Sequence, residues 1–221
     1  MAGKTSLACF SKKTAAEMTS VGIVSTGLGN VASIRRMIEK AGGEATIVEN
    51  PGRLKEFQKI ILPGVGHFDN GIKKLSEAGF RSELISVCQK KNVKIMGICL
   101  GMQLLCKSSE EGTCEGLGLI DATVEKFRSD TTSLKIPHMG WNTVNILKDN
   151  ALLKDIGREQ RFYFVHSFRV VPRCASISLA NCEYGVEFCA AFQDGNIFGV
   201  QFHPEKSHKF GLRLIKNFLE L

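Results

Sequence analysis

Short apolar runs alternate with amphipathic helical stretches over the first half of this 221-residue chain. Each apolar run is rich in β-branched residues, and the stretch after it places its apolar residues on one helical face. Strands that alternate with helices of this length predict βαβ units and a mostly parallel sheet. The predicted strands are 21–24, 45–48, 59–62 and 93–98, and the predicted helices begin at Val31 and lie within 68–90 and 100–106.

The pattern changes after residue 115, where short alternating segments punctuated by Gly, Asn and Asp predict antiparallel strands beside the parallel sheet. An amphipathic helix is predicted over 207–219. The fold class is therefore α/β, a mostly parallel central sheet with flanking helices and a smaller antiparallel sheet. We expect residues 20–221 to form one domain and residues 1–19 to be a mobile extension. The predicted strands of this half are 117–124, 141–146, 162–165, 168–171, 176–179, 187–192 and 197–202.

Composition excludes several classes of protein. Hydrophobic residues make up 43% and charged residues 23%, which is typical of a globular domain and not of a disordered chain or a coiled coil. The net charge is +7, but the basic residues occur in pairs and not in a stripe, so we expect no nucleic-acid partner. No apolar run approaches the roughly 18 residues of a membrane span, so we expect no membrane association.

Eight cysteines occur at irregular spacing, without a C-x-x-C pair or the spacing of a zinc site. We therefore expect free thiols in a reducing, cytoplasmic compartment, and no metal.

The sharpest local motif is Gly97-Ile98-Cys99-Leu100-Gly101, in which an apolar strand runs into a cysteine and a helical pattern starts at once. This is the cysteine form of the G-x-S-x-G nucleophile elbow, whose glycines allow a sharp turn and close packing of backbones. The motif predicts that Cys99 is a nucleophile. The alternative is a buried core cysteine between two incidental glycines.

A second motif, Phe202-His203-Pro204-Glu205, follows a predicted strand. Proline keeps the preceding residue out of the helical region, so His203 and Glu205 are expected in extended chain on one side. Glu205 can then orient the imidazole of His203, which takes the proton from Cys99. The alternative is a strand-terminal histidine beside a solvated glutamate.

A third motif, Pro63-Gly64-Val65-Gly66, also ends a predicted strand. Its glycines let the backbone aim an N–H group at a developing oxyanion, with the N–H of Leu100 as second donor. The alternative is an ordinary strand-to-helix turn.

Together these three motifs resemble the class I, or triad, glutamine amidotransferases. Further segments are similar to the glutaminase subunits of imidazole glycerol phosphate synthase within that family, and the resemblance extends from about Val21 to the C-terminus. These segments are Gly27-Leu28-Gly29-Asn30, Pro137-His138-Met139-Gly140-Trp141-Asn142, Tyr163-Phe164-Val165-His166-Ser167 and Lys206-Ser207.

The resemblance implies an enzyme that hydrolyses glutamine without a cofactor and passes ammonia to a synthase partner, in that family the (β/α)₈-barrel cyclase subunit of histidine biosynthesis. It assigns Cys99, His203 and Glu205 to the catalytic triad. It also implies further roles, with Gly64, Val65, Gly66 and Leu100 at the oxyanion hole, Gln103, Ser167 and Phe168 at the glutamine site, and Asn30, Trp141, Asn142 and Lys206 facing the partner and the ammonia exit.

The chain departs from the family pattern at two places, with Ser25-Thr26 where Asp-Tyr is usual and Phe168 where Tyr is common. The segment from Gln201 to Gly211, together with His67-Phe68-Asp69, also resembles a paralogous branch that supplies ammonia to a sugar amidotransferase of surface-polysaccharide assembly. Two further alternatives are a stand-alone γ-glutamyl hydrolase and a catalytically silent regulatory subunit.

Overall fold

A computed structural model describes residues 20–90, 92–128, 134–157 and 160–221. Five helices flank a sheet within these ranges: α1 (Val31–Lys40), α2 (Phe68–Glu77), α3 (Phe80–Cys88), α4 (Leu100–Leu104) and α5 (His208–Glu220). The strands are β1 (Ser20–Val24), β2 (Glu44–Val48), β3 (Lys59–Gly64), β4 (Lys94–Cys99), β5 (Ser108–Ser109), β6 (Ala122–Lys126), β7 (His138–Ile146), β8 (Arg161–His166), β9 (Phe168–Pro172), β10 (Ser178–Tyr184), β11 (Val186–Asp194) and β12 (Ile197–Val200).

The strands form one continuous sheet, which has a parallel half and an antiparallel half. Strands β2, β1, β3, β4 and β12 are parallel neighbours in that order. Strand β11 then pairs antiparallel with β12 and leads through β10 and β7 to β8. A side branch pairs β11 with β9, β9 with β6, and β6 with β5. The α/β prediction is confirmed.

Alternating side chains bury both faces of the parallel strands, as expected when helices cover both sides. In β3, Ile61 packs in a core with Ile34 of α1 and Phe218 of α5. Its neighbours in the strand point the other way, and Leu62 packs in a second core with Leu75 of α2. The sheet is therefore held from both sides, which leaves its carboxyl edge to form a site.

Some predicted bounds were wrong. The strand predicted over 117–124 begins only at Ala122, because Leu117 and Leu119 donate their backbone N–H groups to the end of the α4 segment, at Leu104 and Leu105. The helix-rich stretch predicted over 68–90 holds two helices, α2 and α3, separated at Gly79, which adopts φ +76°.

In the second half of the chain, the segment predicted as a strand over 176–179 starts as a 3₁₀ turn. Strand β7 begins three residues before its predicted start, and β12 ends at Val200, before the predicted end at 202. The prediction for residues 1–19 lies outside the described residues.

The seven cysteines in the described part of the chain are unpaired thiols. None of the helices in these same ranges has the length and apolarity that a membrane crossing requires.

Candidate active site

The turn from β4 into α4 holds Cys99 in a strained conformation. β4 is hydrogen-bonded between β3 and β12, and α4 begins at the next residue, Leu100. Cys99 has φ +54° and ψ −114°, a region that residues other than glycine rarely adopt and that costs about 1–3 kcal/mol. The sharp turn places the thiol at the carboxyl edge of the sheet.

The two glycines of the elbow are required by close backbone packing. A Cβ on Gly97 would lie 2.6 Å from the carbonyl oxygen of Gly101. A Cβ on Gly101 would lie 1.8 Å from the carbonyl oxygen of Leu62, in the neighbouring strand β3. Side chains at either position would therefore push the elbow away from the sheet.

The adjacent strand β12 carries His203 to the same edge. Because β12 and β4 are parallel neighbours, with Val200 opposite Ile98, the segments after both strands emerge side by side. The backbone N–H of His203 donates to Tyr163 (2.9 Å), and the Ser207 hydroxyl donates to the His203 carbonyl (2.6 Å). The main chain at His203 is thus fixed from two sides.

The side chains of His203 and Glu205 form a buried pair. Nδ1 of His203 lies 2.7 Å from Oε1 of Glu205, and both side chains are at most 5% exposed. The other ring nitrogen, Nε2, is buried and has no nitrogen or oxygen partner among the described residues. This nitrogen is therefore available to the Cys99 thiol, which is close enough to raise the pKa of the ring.

Burial by itself would lower the pKa of His203, but the neighbouring Cys99 and the hydrogen-bonded Glu205 carboxylate raise the pKa to about 9. The imidazole is then protonated at neutral pH. A protonated ring favours a thiolate next to it and can later give its proton to a leaving group.

A cavity of about 360 Å³ opens over Cys99. Of the residues expected at an oxyanion hole or a glutamine site, six line it, while Gly64 lies behind the wall, opposite Cys99 in the β3–β4 ladder. The lining residues are Val65, Gly66, Cys99, Leu100, Gln103, Glu111, Pro137, Val165, His166, Ser167 and Phe168.

The four residues expected to face a partner are separate from this cavity. Trp141 is 39% exposed and stacks on His208 (5.3 Å between centroids), and Lys206 lies over the ring of Tyr163 (5.4 Å). Asn30 caps α1 by accepting from the N–H of Ser33.

Asn142 follows Trp141 in β7, so its side chain is on the opposite face of the strand. There it donates to the carbonyl of Glu183 (2.9 Å) and contacts Nε2 of His138 (3.2 Å). Of the four, Asn142 therefore points into the molecule.

Sequence reasoning missed Gln201 and Glu111. Gln201 is fully buried; its Oε1 accepts from Nε2 of Gln103 (3.0 Å), and its own Nε2 lies 3.9 Å from Sγ of Cys99. Glu111 accepts from the N–H of Phe68 (2.7 Å) and is the one acidic residue among the described residues that line the cavity. A polar residue just before a proposed catalytic motif was the available signal for Gln201.

The described part of the chain contains no cluster of three or more His, Cys, Asp or Glu residues that could hold a metal ion.

Comparison with known proteins identifies the class. The family model for "Glutamine amidotransferase class-I" matches residues 23–221. The chain therefore belongs to the class I glutamine amidotransferase family, and the predicted enzyme class is confirmed.

Within that family, the chain is similar to curated subunits of one particular enzyme. It is 47% identical over 204 residues to imidazole glycerol phosphate synthase subunit HisH 2 of Methanococcus maripaludis, covering 90% of this chain and 98% of the relative. It is 44% identical over 200 residues to the subunit of the same name in Pseudomonas aeruginosa, with the same coverage.

A crystal structure of a glutamine amidotransferase has the same fold, with a TM-score of 0.68 over 90% of this chain and 97% of that one, at 21% identity. The resemblance that the sequence motifs indicate, to the class I glutamine amidotransferases and to the HisH subunits among them, is confirmed.

Proposed function

We propose that this chain hydrolyses glutamine to glutamate and ammonia through Cys99, His203 and Glu205, and that it passes the ammonia to the cyclase subunit of imidazole glycerol phosphate synthase. The observation that carries the proposal is the cavity over a strained Cys99, beside a buried His203–Glu205 pair. The names of the HisH relatives support the choice of partner.

In the first half of the reaction, the Cys99 sulfur attacks the side-chain amide carbon of glutamine. The carbonyl oxygen becomes an oxyanion, which N–H groups of the Gly64–Gly66 loop and Leu100 stabilise. Protonated His203 then gives its proton to the amide nitrogen, and ammonia leaves from a γ-glutamyl thioester.

In the second half, neutral His203 takes a proton from water, and the resulting hydroxide attacks the thioester carbon. The carbon–sulfur bond breaks, glutamate leaves, and the thiolate–imidazolium pair is restored. Glu205 holds the ring orientation throughout.

The cavity fits the amino-acid part of the substrate. Glu111 supplies a carboxylate for the α-ammonium group of glutamine, since it is the acidic residue of the lining. Gln103, Ser167 and Phe168 also line this cavity.

The partner docks on the face of β7 that carries Trp141, and we expect Asn30 and Lys206 to face it as well. Met139 and Trp141 lie on the same side of β7 and are 61% and 39% exposed, and Val65 of the Gly64–Gly66 loop is 45% exposed. Large exposed apolar side chains near a site are typical of an interaction surface. A shielded route is needed because ammonia released into water would be protonated and lose its nucleophilicity.

Residues 20–221 form one catalytic domain, and the enzyme works in the cytoplasm as a heterodimer. The family match from residue 23 to the last residue supports the single domain.

Replacing Glu205 by glutamine is expected to lower kcat by about 10²–10⁴-fold, because the ring loses the anion that orients it and stabilises its charge.

A group whose pKa is raised is protonated below that pKa. The wild-type kcat/KM should therefore fall as pH rises through about 9. In E205Q this alkaline limb should move to lower pH. Glu220→Gln, which changes an exposed glutamate, is the control. If the alkaline limb of the kcat/KM profile in E205Q stays at the wild-type pH, the role of Glu205 is contradicted.

The experiment that tests the function measures glutamate release by the purified chain alone and after addition of the cyclase subunit of the same organism with its substrate. We expect slow release alone and stimulation of at least about tenfold by the complex.

Full activity without a partner would instead indicate a stand-alone γ-glutamyl hydrolase. Stimulation by a sugar amidotransferase, and not by the cyclase, would indicate the paralogous branch. Absence of glutamate release in every combination would leave the silent regulatory subunit.

A further inference from the structure

Two buried histidines outside the triad, His138 and His166, form a pair at the wall of the candidate glutamine cavity. They are opposite one another in the β7–β8 ladder, where His138 begins β7 and His166 ends β8. Nδ1 of His138 is 2.9 Å from Nε2 of His166. Only His166 lines the cavity.

The acceptors around the pair determine where each ring carries its proton. Nδ1 of His166 lies 2.7 Å from the carbonyl oxygen of Phe168, which can only accept, so this nitrogen carries the hydrogen. In a neutral ring Nε2 of His166 is then an acceptor, and Nδ1 of His138 donates to it. Nε2 of His138 in turn accepts from the side-chain amide of Asn142 (3.2 Å). All four ring nitrogens thus have a partner.

Burial favours these neutral rings. It lowers the pKa of His138 to about 4. It also lowers the pKa of His166 to about 3, against the raising effect of the bond to the Phe168 carbonyl. Aromatic rings surround the pair, including Phe188, whose centroid lies 5.8 Å from that of His138 and 5.2 Å from that of His166.

The same carbonyl of Phe168 connects the pair to Cys99. Nε2 of Gln103 donates to it (3.1 Å) and also to Oε1 of Gln201 (3.0 Å). Nε2 of Gln201 then points to Sγ of Cys99 at 3.9 Å. The hydrogen bonds therefore run without a break from Asn142 to the sulfur.

We propose that His138 and His166 are positioning residues that fix the Phe168 carbonyl and the Gln103 amide at the glutamine site, and connect that site to Asn142 on the strand that carries Trp141. This inference rests on the proposed function, because glutamine is the ligand whose site is held. It implies that loss of the pair weakens glutamine binding more than it slows the chemical step, since neither ring contacts the triad through a hydrogen bond.

Two substitutions of His138 separate hydrogen bonding from packing. His138→Leu removes the donor and leaves Nε2 of His166 buried without a partner, so KM for glutamine should rise by about tenfold or more, while kcat changes by less than about threefold. His138→Asn places an amide donor near the position of Nδ1 and should recover most of the lost affinity. Phe188→Leu is the matched control, since it trims the same aromatic cluster without entering the hydrogen-bond chain.

A spectroscopic measurement tests the pair independently of catalysis. In protein labelled with ¹⁵N-histidine, long-range ¹H–¹⁵N correlation spectra at neutral pH should show both rings neutral and protonated on Nδ1. The His138→Asn and His166→Asn variants assign the signals. In His138→Asn, His166 should keep its Nδ1–H form.

The outcomes are distinguishable from those of the proposed function. Wild-type protein that fails to hydrolyse glutamine, with or without a partner, would overturn the proposed function, while the spectra would still test the pair. An Nε2–H or doubly protonated His166 in the wild-type spectra would overturn the inference. So would equal rises of KM in His138→Leu, His138→Asn and Phe188→Leu, because packing alone would then explain them.

Discussion

Replacement of Cys99 by alanine is expected to lower kcat for glutamine hydrolysis by at least about 10⁴-fold, because it removes the sulfur that forms the thioester. His203 and Glu205 lose no hydrogen bond to each other, and the cavity walls stay in place, so glutamine should still bind. Glutamate release gives kcat, and titration calorimetry of the variant gives the affinity for glutamine.

Cys88→Ala is the matched control, since it removes a half-buried thiol that lies outside the candidate site. Its kcat should stay within about twofold of wild type. Activity of Cys99→Ala comparable to that of Cys88→Ala would contradict the assignment of the nucleophile.

Replacement of Gly101 by alanine is expected to destabilise the folded protein by at least about 3 kcal/mol, or to prevent folding. The added methyl group would overlap the carbonyl of Leu62, which belongs to a central strand and cannot move aside as a flexible side chain could. Urea denaturation followed by circular dichroism measures the free energy of unfolding.

Gly52→Ala provides the comparison. The added methyl group would meet only Oδ1 of Asn50, at 3.3 Å, at an exposed turn. We expect a loss within about 1 kcal/mol there. Equal stability of the two variants would show that the elbow does not depend on close packing at Gly101.

The elbow could be predicted from the sequence because its requirements are local. A strand, a cysteine and two glycines at fixed spacing are visible in the sequence as one short motif, and the structure has the corresponding turn at Cys99. The proximity of Cys99 and His203 was inferred from chemistry, and the fold explains it, because β4 and β12 are parallel neighbours that end at the same edge.

The histidine pair could not be predicted, because it depends on strand register. His138 and His166 are 28 residues apart, and they meet only because β7 and β8 pair with those two residues opposite each other. A shift of either strand by one residue would place the two rings on opposite faces of the sheet. Glu111 was missed for a similar reason, since a loop brings it to the cavity through a bond to the N-terminus of α2.

The segment from Leu117 to Ile120 shows how tertiary contacts override a local pattern. Its alternation is typical of a strand, but the end of α4 offers free carbonyl groups, and the segment satisfies its N–H groups there. Strand pairing starts only at Ala122, where β6 meets β9.

Trapping of the covalent intermediate tests the central claim most directly. The wild-type protein is incubated with a glutamine analogue that carries an electrophilic carbon in place of the side-chain amide, then digested and analysed by mass spectrometry. We expect one adduct, on the peptide that contains Cys99, formed more slowly when glutamine competes and more slowly in His203→Asn. An adduct on another cysteine, or the same rate in His203→Asn as in wild type, would contradict the account.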